Sequence, residues 1–174
     1  MSRKIIAGFA CSLDGYIEGP DGEYDWITVD KEMDLAGQMK RYDTFLIGRR
    51  TYEKIRQMKG PKVPHIKNYV FSSTLSEVDP GYLLVSGNVE QQVKQLREIP
   101  GKDIAVFGGA GLLTSLLDLQ LVDELSIAII PVLLGEGKPM INVLKKRVSL
   151  RHLHTKTYSN GTLQVTYEVL KKDQ

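Results

Sequence analysis

Two strand-to-helix junctions constrain this sequence more than any other feature. Leu46-Ile47-Gly48-Arg49-Arg50-Thr51-Tyr52-Glu53 and Val106-Phe107-Gly108-Gly109-Ala110-Gly111-Leu112-Leu113 each end an apolar run at glycine and pass at once into a helical pattern. A helix start presents unpaired N–H groups and a partial positive charge, which suits a phosphate. Glycine there removes the Cβ that would hold an anion away from the backbone. Two such junctions on one sheet are expected to hold the two phosphates of one dinucleotide, with an arginine pair at the first. Neither is G-x-G-x-x-G or a P-loop. A lone Gly-Gly turn is more often a tight connection than a ligand site. The pair, with what lies between, carries the expectation.

The rest of the pattern is strand–helix alternation followed by strands alone. Lys4 to Cys11 reads as a buried strand, and Leu13 to Asp25 as a long loop with Gly15, Gly19, Pro20 and Gly22. Asp30 is expected to cap a helix carrying Met33, Leu35, Ala36 and Met39, and Asn88 to cap a second one with Gln91 three residues on. Strands are expected at Thr44 to Ile47, Asn68 to Phe71, Tyr82 to Val85 and Ile104 to Phe107. Glu124 to Leu134, Val148 to Tyr158 and Thr162 to Leu170 follow as strands, the last two turning at Asn160-Gly161. Alternation implies parallel crossovers, and the hairpin adds antiparallel strands. The expected fold is a three-layer α/β/α sandwich on a mixed, mainly parallel sheet, one domain over residues 1–174. Ligands then sit beyond the carboxyl ends of the parallel strands, where both junctions meet.

Composition sets limits. With 23 basic and 21 acidic side chains the net charge is +2, too balanced for nucleic acid or a membrane surface as main partner. The single cysteine, Cys11, excludes an internal disulfide and fits a cytoplasmic protein. No signal peptide or membrane span is visible. His65, His152 and His154 have no ligand-like company, so no metal site is expected.

The stretches F-L-I-G-R-R-T-Y-E, Y-V-F-S-S from Tyr69 and A-V-F-G-G-A-G from Ala105 resemble dihydrofolate reductases in order and spacing. Ser12-Leu13-Asp14-Gly15-Tyr16-Ile17 with Asp25-Trp26 is similar to their active-site loop. Val122-Asp123-Glu124-Leu125 and Pro131-Val132-Leu133-Leu134-Gly135-Glu136-Gly137 are closer to the pyrimidine reductases of riboflavin synthesis, the RibD C-terminal domain-like branch. The resemblance covers nearly the whole chain. It implies an NADPH-dependent oxidoreductase similar to 5-amino-6-(5-phosphoribosylamino)uracil reductase, passing hydride to a small heterocyclic or ribosyl acceptor.

Residue by residue, the resemblance implies that Gly108, Gly109, Ala110 and Gly111 line the cofactor pyrophosphate, across a Gly108–Gly109 bond expected to be cis. Gly48 and Thr51 stand at the opposite helix start. Arg49 is implied for the adenosine 2′-phosphate, a role that also fits guanidinium–phosphate chemistry. Ser72 or Ser73 either helps it or forms a strand-end turn, and Arg50 is read as an exposed helix charge. Ala10 and Ile17 match positions whose backbones hold the nicotinamide. Asp14 either makes the turn that opens the loop or faces substrate, and Trp26 is placed at the substrate mouth. The position of the pterin-binding carboxylate falls on Lys31, flanked by Asp30, Glu32 and Asp34; Asp34 is the best placed of these for a catalytic acid. Dihydrofolate reduction proper and a non-catalytic dinucleotide-binding module are the alternatives. A homodimer through the C-terminal strands is also implied, with Ile127, Ile129 and Val132 on one face of a long strand and Val165 and Val169 on the hairpin.

Overall fold

The computed structural model of the protein describes residues 3–58 and 65–171. In chain order its elements are β1 (Ile5–Ser12), β2 (Tyr16–Glu18), α1 (Leu35–Met39), β3 (Tyr42–Gly48), α2 (Arg49–Met58), β4 (Lys67–Phe71) and β5 (Tyr82–Val85). Then come α3 (Val89–Glu98), β6 (Asp103–Phe107), α4 (Ala110–Asp118), β7 (Glu124–Ile130), β8 (Lys138–Pro139), β9 (Ser149–Thr157) and β10 (Leu163–Leu170).

Eight strands form one sheet in the order β5-β4-β3-β6-β1-β7-β10-β9. Neighbours from β5 to β7 pair parallel; β10 runs antiparallel to β7, and β9 antiparallel to β10. Side chains alternate across the sheet. Phe45 and Ile47 of β3 pack with Tyr52 of α2 on one face, whereas Leu46 packs with Val93 of α3 and Leu116 of α4 on the other. The result is the expected three-layer sandwich. Helix α4 buries six of its nine residues, among them Leu116 at 0% exposure. A leucine buried so completely stabilises the fold by about 1.5–3 kcal/mol. Helix α3 starts as expected, with Asn88 Oδ1 accepting the Gln91 N–H at 3.0 Å.

Three elements depart from expectation. The first helix is short, and its N-cap is Asp34, not Asp30: Asp34 Oδ1 accepts the Gly37 N–H at 2.7 Å. The loop after β1 contains β2, which pairs with β8, so the Gly135–Pro139 stretch is bound to that loop rather than merely interrupting the final sheet. Leu13 N–H to Val132 O (2.9 Å) and Met140 N–H to Gly15 O (3.0 Å) tie the same two segments. Strand β7 stops at Ile130, because Pro131 has no N–H to continue the ladder.

The C-terminal strands also differ from the reading that suggested a dimer. Strand β7 is internal, between β1 and β10, and Val165 and Val169 are buried within the chain. On this side of the sheet the edge strand is β9, exposed along its whole length, with Leu150 and Leu153 among its residues. Among the described residues no helix is long and apolar enough to cross a membrane, and no cluster of His, Cys, Asp or Glu suits a metal ion.

Candidate functional site

Strands β3 and β6 are neighbours, so their carboxyl ends set the two glycine junctions side by side. A Cβ built on Gly109 lies 3.7 Å from Gly48 Cα and 3.4 Å from Thr51 Oγ1. One built on Gly108 lies 2.9 Å from Thr51 Cγ2, closer than real side chains come. Gly109 is the N-cap of α4 and supplies no side-chain acceptor, so the first N–H groups of that helix lack a capping side chain. Among the described residues no peptide bond is cis, which corrects the expectation for Gly108–Gly109. The turn is made instead by positive φ at both residues, 75° and 94°, a conformation glycine adopts without a Cβ clash.

Two hollows flank this contact. One, of about 280 Å³, is bordered by Ala10, Ile17, Thr51, Gly108, Gly109 and Ala110. The other, of about 260 Å³, is bordered by Gly48, Arg49, Ser72, Ser73 and Gly111. The residues singled out for a dinucleotide thus divide between two spaces on either side of one glycine pair. Arg49 reaches out from the first turn of α2, half-exposed, with Nη1 3.0 Å from Glu53 Oε1. Ser72 Oγ accepts the Thr74 and Leu75 N–H groups, which is the strand-end turn, while Ser73 is exposed. Arg50 is an exposed helix charge.

A third cavity, of about 240 Å³, adjoins the first hollow and shares Gly8, Phe9, Ala10 and Phe107 with it. Gly8 of β1 stands level with Phe107 of β6 and Ser126 of β7, and Ala10 level with Ala128. Small residues there leave the sheet without bulk. Residues 27–29, Met33 and α1 close the space from outside, and Gln164 of β10 reaches in from the side, its Nε2 donating to Ser126 Oγ at 2.8 Å. Phe107 is 40% exposed and stacks on Phe45, ring centres 5.0 Å apart and planes within 5°.

The sequence-expected acidic and substrate residues go elsewhere. Asp34, expected as the catalytic acid, is exposed, caps α1 and borders none of these spaces. Asp14 does not face them either: its carboxylate accepts Ser12 Oγ at 2.6 Å and the Gly135 N–H at 2.7 Å. These bonds, Ser12 first, hold it below the usual carboxylate range and pin the loop after β1 to the segment after β7. Trp26 is half-buried and does not border the cavity, although the next three residues do, and its buried indole N–H has no acceptor among the described residues. Asp30 takes Ser159 Oγ (2.7 Å), the Glu32 N–H (2.8 Å) and the Asn160 N–H (3.0 Å), tying the cavity lid to the β9–β10 turn.

Hydrogen bonds from Ser159, then Glu32, hold the Asp30 carboxyl below its usual range. A carboxylate depressed by folding contributes stability above its unfolded pKa, about 3.9, and loses it as pH falls through the folded value. The melting temperature is therefore expected to fall below about pH 4, and Asp30→Asn to be destabilising at neutral pH with a shallower acid limb. Thermal melts of both proteins from pH 3 to 7 check this; parallel curves would remove Asp30 from the account.

Spacing gave no hint of three other residues. Glu18 bridges Lys54 (2.9 Å) and Lys138 (3.1 Å), and Glu18 and Lys54 border the first hollow. Burial opposes ionisation of Glu18, but the two lysines outweigh it and hold the carboxyl low. It is therefore ionised at neutral pH and unsuited to donate a proton. The β2–β8 pairing sets Glu18 beside Lys138, and Lys54 reaches the same carboxylate from α2.

The sequence profile described as the RibD C-terminal domain matches residues 3–164. YyaP of Bacillus subtilis is 39% identical over 177 residues, covering 95% of this chain and 94% of that protein. A putative riboflavin biosynthesis protein from Shewanella sp. PV-4 superposes with a TM-score of 0.86 at 26% identity, over 98% of this chain and 100% of the other. Dihydrofolate reductase from Enterococcus faecalis, solved with NADP(H), shares the fold at a TM-score of 0.73 and 18% identity, over 98% and 100%. On the profile match and the Bacillus relative together, the chain belongs to the RibD C-terminal domain family.

Proposed function

We propose that the protein is an NADPH-dependent reductase, acting on a small acceptor in the cavity beside the glycine junctions. The observation that carries this reading is the grouping of three spaces around the two glycine junctions. A hollow with Arg49 at its rim borders Gly48 and Gly111, a second borders Gly108 to Ala110 at the uncapped start of α4, and an apolar cavity adjoins the second through Gly8, Phe9, Ala10 and Phe107. The residues fit the cofactor. Gly108 and Gly109 leave a gap that side chains would fill, the first N–H groups of α4 have no capping side chain and suit an anion, and Arg49 offers paired donors to a further phosphate. The bound cofactor supplies hydride from its nicotinamide. The chain's part would be to hold the phosphates at the two helix starts, to seat the nicotinamide in the hollow bordered by Ala10 and Ile17, and to use Phe107 to limit water at the wall shared with the cavity. Membership of the RibD C-terminal domain family, and the NADP(H) held by the Enterococcus enzyme, support the same reading.

The test is NADPH fluorescence on mixing with the purified protein, followed by loss of absorbance at the reduced-nicotinamide band when carbonyl and imine acceptors are added. Binding with turnover is expected. Binding without turnover on any acceptor would instead favour a dinucleotide-binding module without catalysis.

The same reading places the protein in the cytoplasm, in keeping with its buried free Cys11, whose thiol burial pushes up to about 11. A thiol so held is inert rather than nucleophilic. It also pairs two copies along β9. An exposed edge strand with unpaired backbone groups and apolar Leu150 and Leu153 is a ready template for a twofold partner. Light scattering at low micromolar concentration is expected to give twice the 19.5 kDa of one chain. A mass of one chain would refute the dimer.

A further inference from the structure

The acceptor cavity carries information about its occupant that the cofactor hollows do not. Its polar lining consists of Thr28, Gln38, Tyr42, Ser126 and Gln164, and among the described residues no ionised group borders it. Burial pushes the Tyr42 phenol up, so that ring too is neutral at working pH. Charges near the cavity are already committed. The Asp30 carboxylate is held by three donors, and Arg41, next to Tyr42 in the chain, pairs with Asp103 at 2.7 Å and Glu124 at 3.1 Å. Moving an ionised ligand from water into such a space is unfavourable without a counter-charge. A pterin held by a carboxylate lacks that carboxylate here, and a sugar phosphate lacks a cation.

The remaining surface favours a flat apolar molecule. Phe107 presents an aromatic platform at the wall shared with the first hollow, and Met33 and Met39 are side chains that adapt to a ring edge. The Gln164 and Ser126 pair supplies neutral hydrogen-bonding groups for one carbonyl or ring nitrogen.

We propose that the acceptor is an uncharged, planar carbonyl or imine compound of one or two fused rings, neither a folate nor a sugar phosphate. The inference rests on the reductase reading above for the direction of the reaction. Hydride adds to the carbonyl or imine carbon, the π pair moves to oxygen or nitrogen, and a proton from water completes the alcohol or amine as the nicotinamide is oxidised. Water is the proton source because the described lining contains no carboxyl, imidazole or ammonium group, and burial makes the Tyr42 phenol a weaker donor still.

A matched pair of probes tests this on the intact protein. Binding of quinoxaline and of quinoxaline-2-carboxylate is measured by calorimetry or ligand-observed NMR, and the neutral ring is expected to bind at least tenfold tighter. Gln164→Lys, which places a cation in the cavity, is expected to reverse that order, and the wild-type comparison stands even if this variant fails to fold. Equal binding, preference for the carboxylate, or binding of neither probe would overturn the proposal. NADPH oxidised only by anionic acceptors would also overturn it, while leaving the reductase reading intact. Conversely, quinoxaline bound selectively by a protein that does not bind NADPH would uphold the cavity's chemistry and sink the reductase reading alone.

Discussion

Gly109→Val is expected to abolish NADPH binding. Gly109 sits at φ 94° and ψ 97°, a region that β-branched residues avoid, and holding valine there strains the backbone by about 1–3 kcal/mol. Its Cβ would project between Gly48 Cα and Thr51 Oγ1, into the gap where the two helix starts approach. The substitution therefore acts twice, distorting the α4 start and filling the phosphate gap. Affinity is expected to fall more than a hundredfold, with a lower melting temperature. Because valine there endangers folding, Gly109→Ala serves as the second variant, with the same φ conflict and less bulk. Titration calorimetry, after circular dichroism has confirmed the fold, decides it. A folded Gly109→Val protein that binds NADPH normally would place the phosphate site elsewhere.

Arg49→Ala is expected to separate the two nicotinamide cofactors. A charged hydrogen bond to phosphate contributes about 1.5–3 kcal/mol, so NADPH should weaken roughly 10- to 150-fold while NADH is little changed. The native partner of Arg49 is Glu53, an exposed i,i+4 pair on α2. Such pairs contribute only about 0.3–0.5 kcal/mol, so the melting temperature should barely move. Equal losses for both cofactors would remove Arg49 from the 2′-phosphate.

What the sequence made legible was local. The two glycine junctions, the Asn88 cap and the Asn160-Gly161 hairpin each depend on a few consecutive residues, and each strand carries its own apolar alternation. Their order then implied the layers of the sheet. What escaped depends on partners far along the chain. Asp30 and Asp34 are nearly interchangeable as cap candidates in the sequence, yet one caps α1 and the other is claimed by Ser159 and Asn160 about 130 positions away. Asp14 looks like a turn former, but its strongest remaining bonds go to Leu134 and Gly135, across the β2–β8 pairing that no propensity announces.

The acceptor cavity was the least legible part. It is built from small residues on one face of β1 and β7, a lid from the α1 approach, and one glutamine from β10. Of these only Ala10 was singled out as a site residue in the sequence; the register of the sheet sets Gly8 beside Phe107 and Ser126. The faces on which the dimer expectation leaned were hidden from the sequence for a similar reason. The apolarity of Val165 and Val169 is answered inside the chain, and the exposed edge passed to β9.

The most direct test of the account is a parallel calorimetric titration of the purified protein with NADPH and with NADH. It predicts that NADPH saturates at one equivalent per chain and binds at least tenfold tighter than NADH, the preference arising at Arg49. Failure to bind either dinucleotide, or equal affinity for the two, would contradict it.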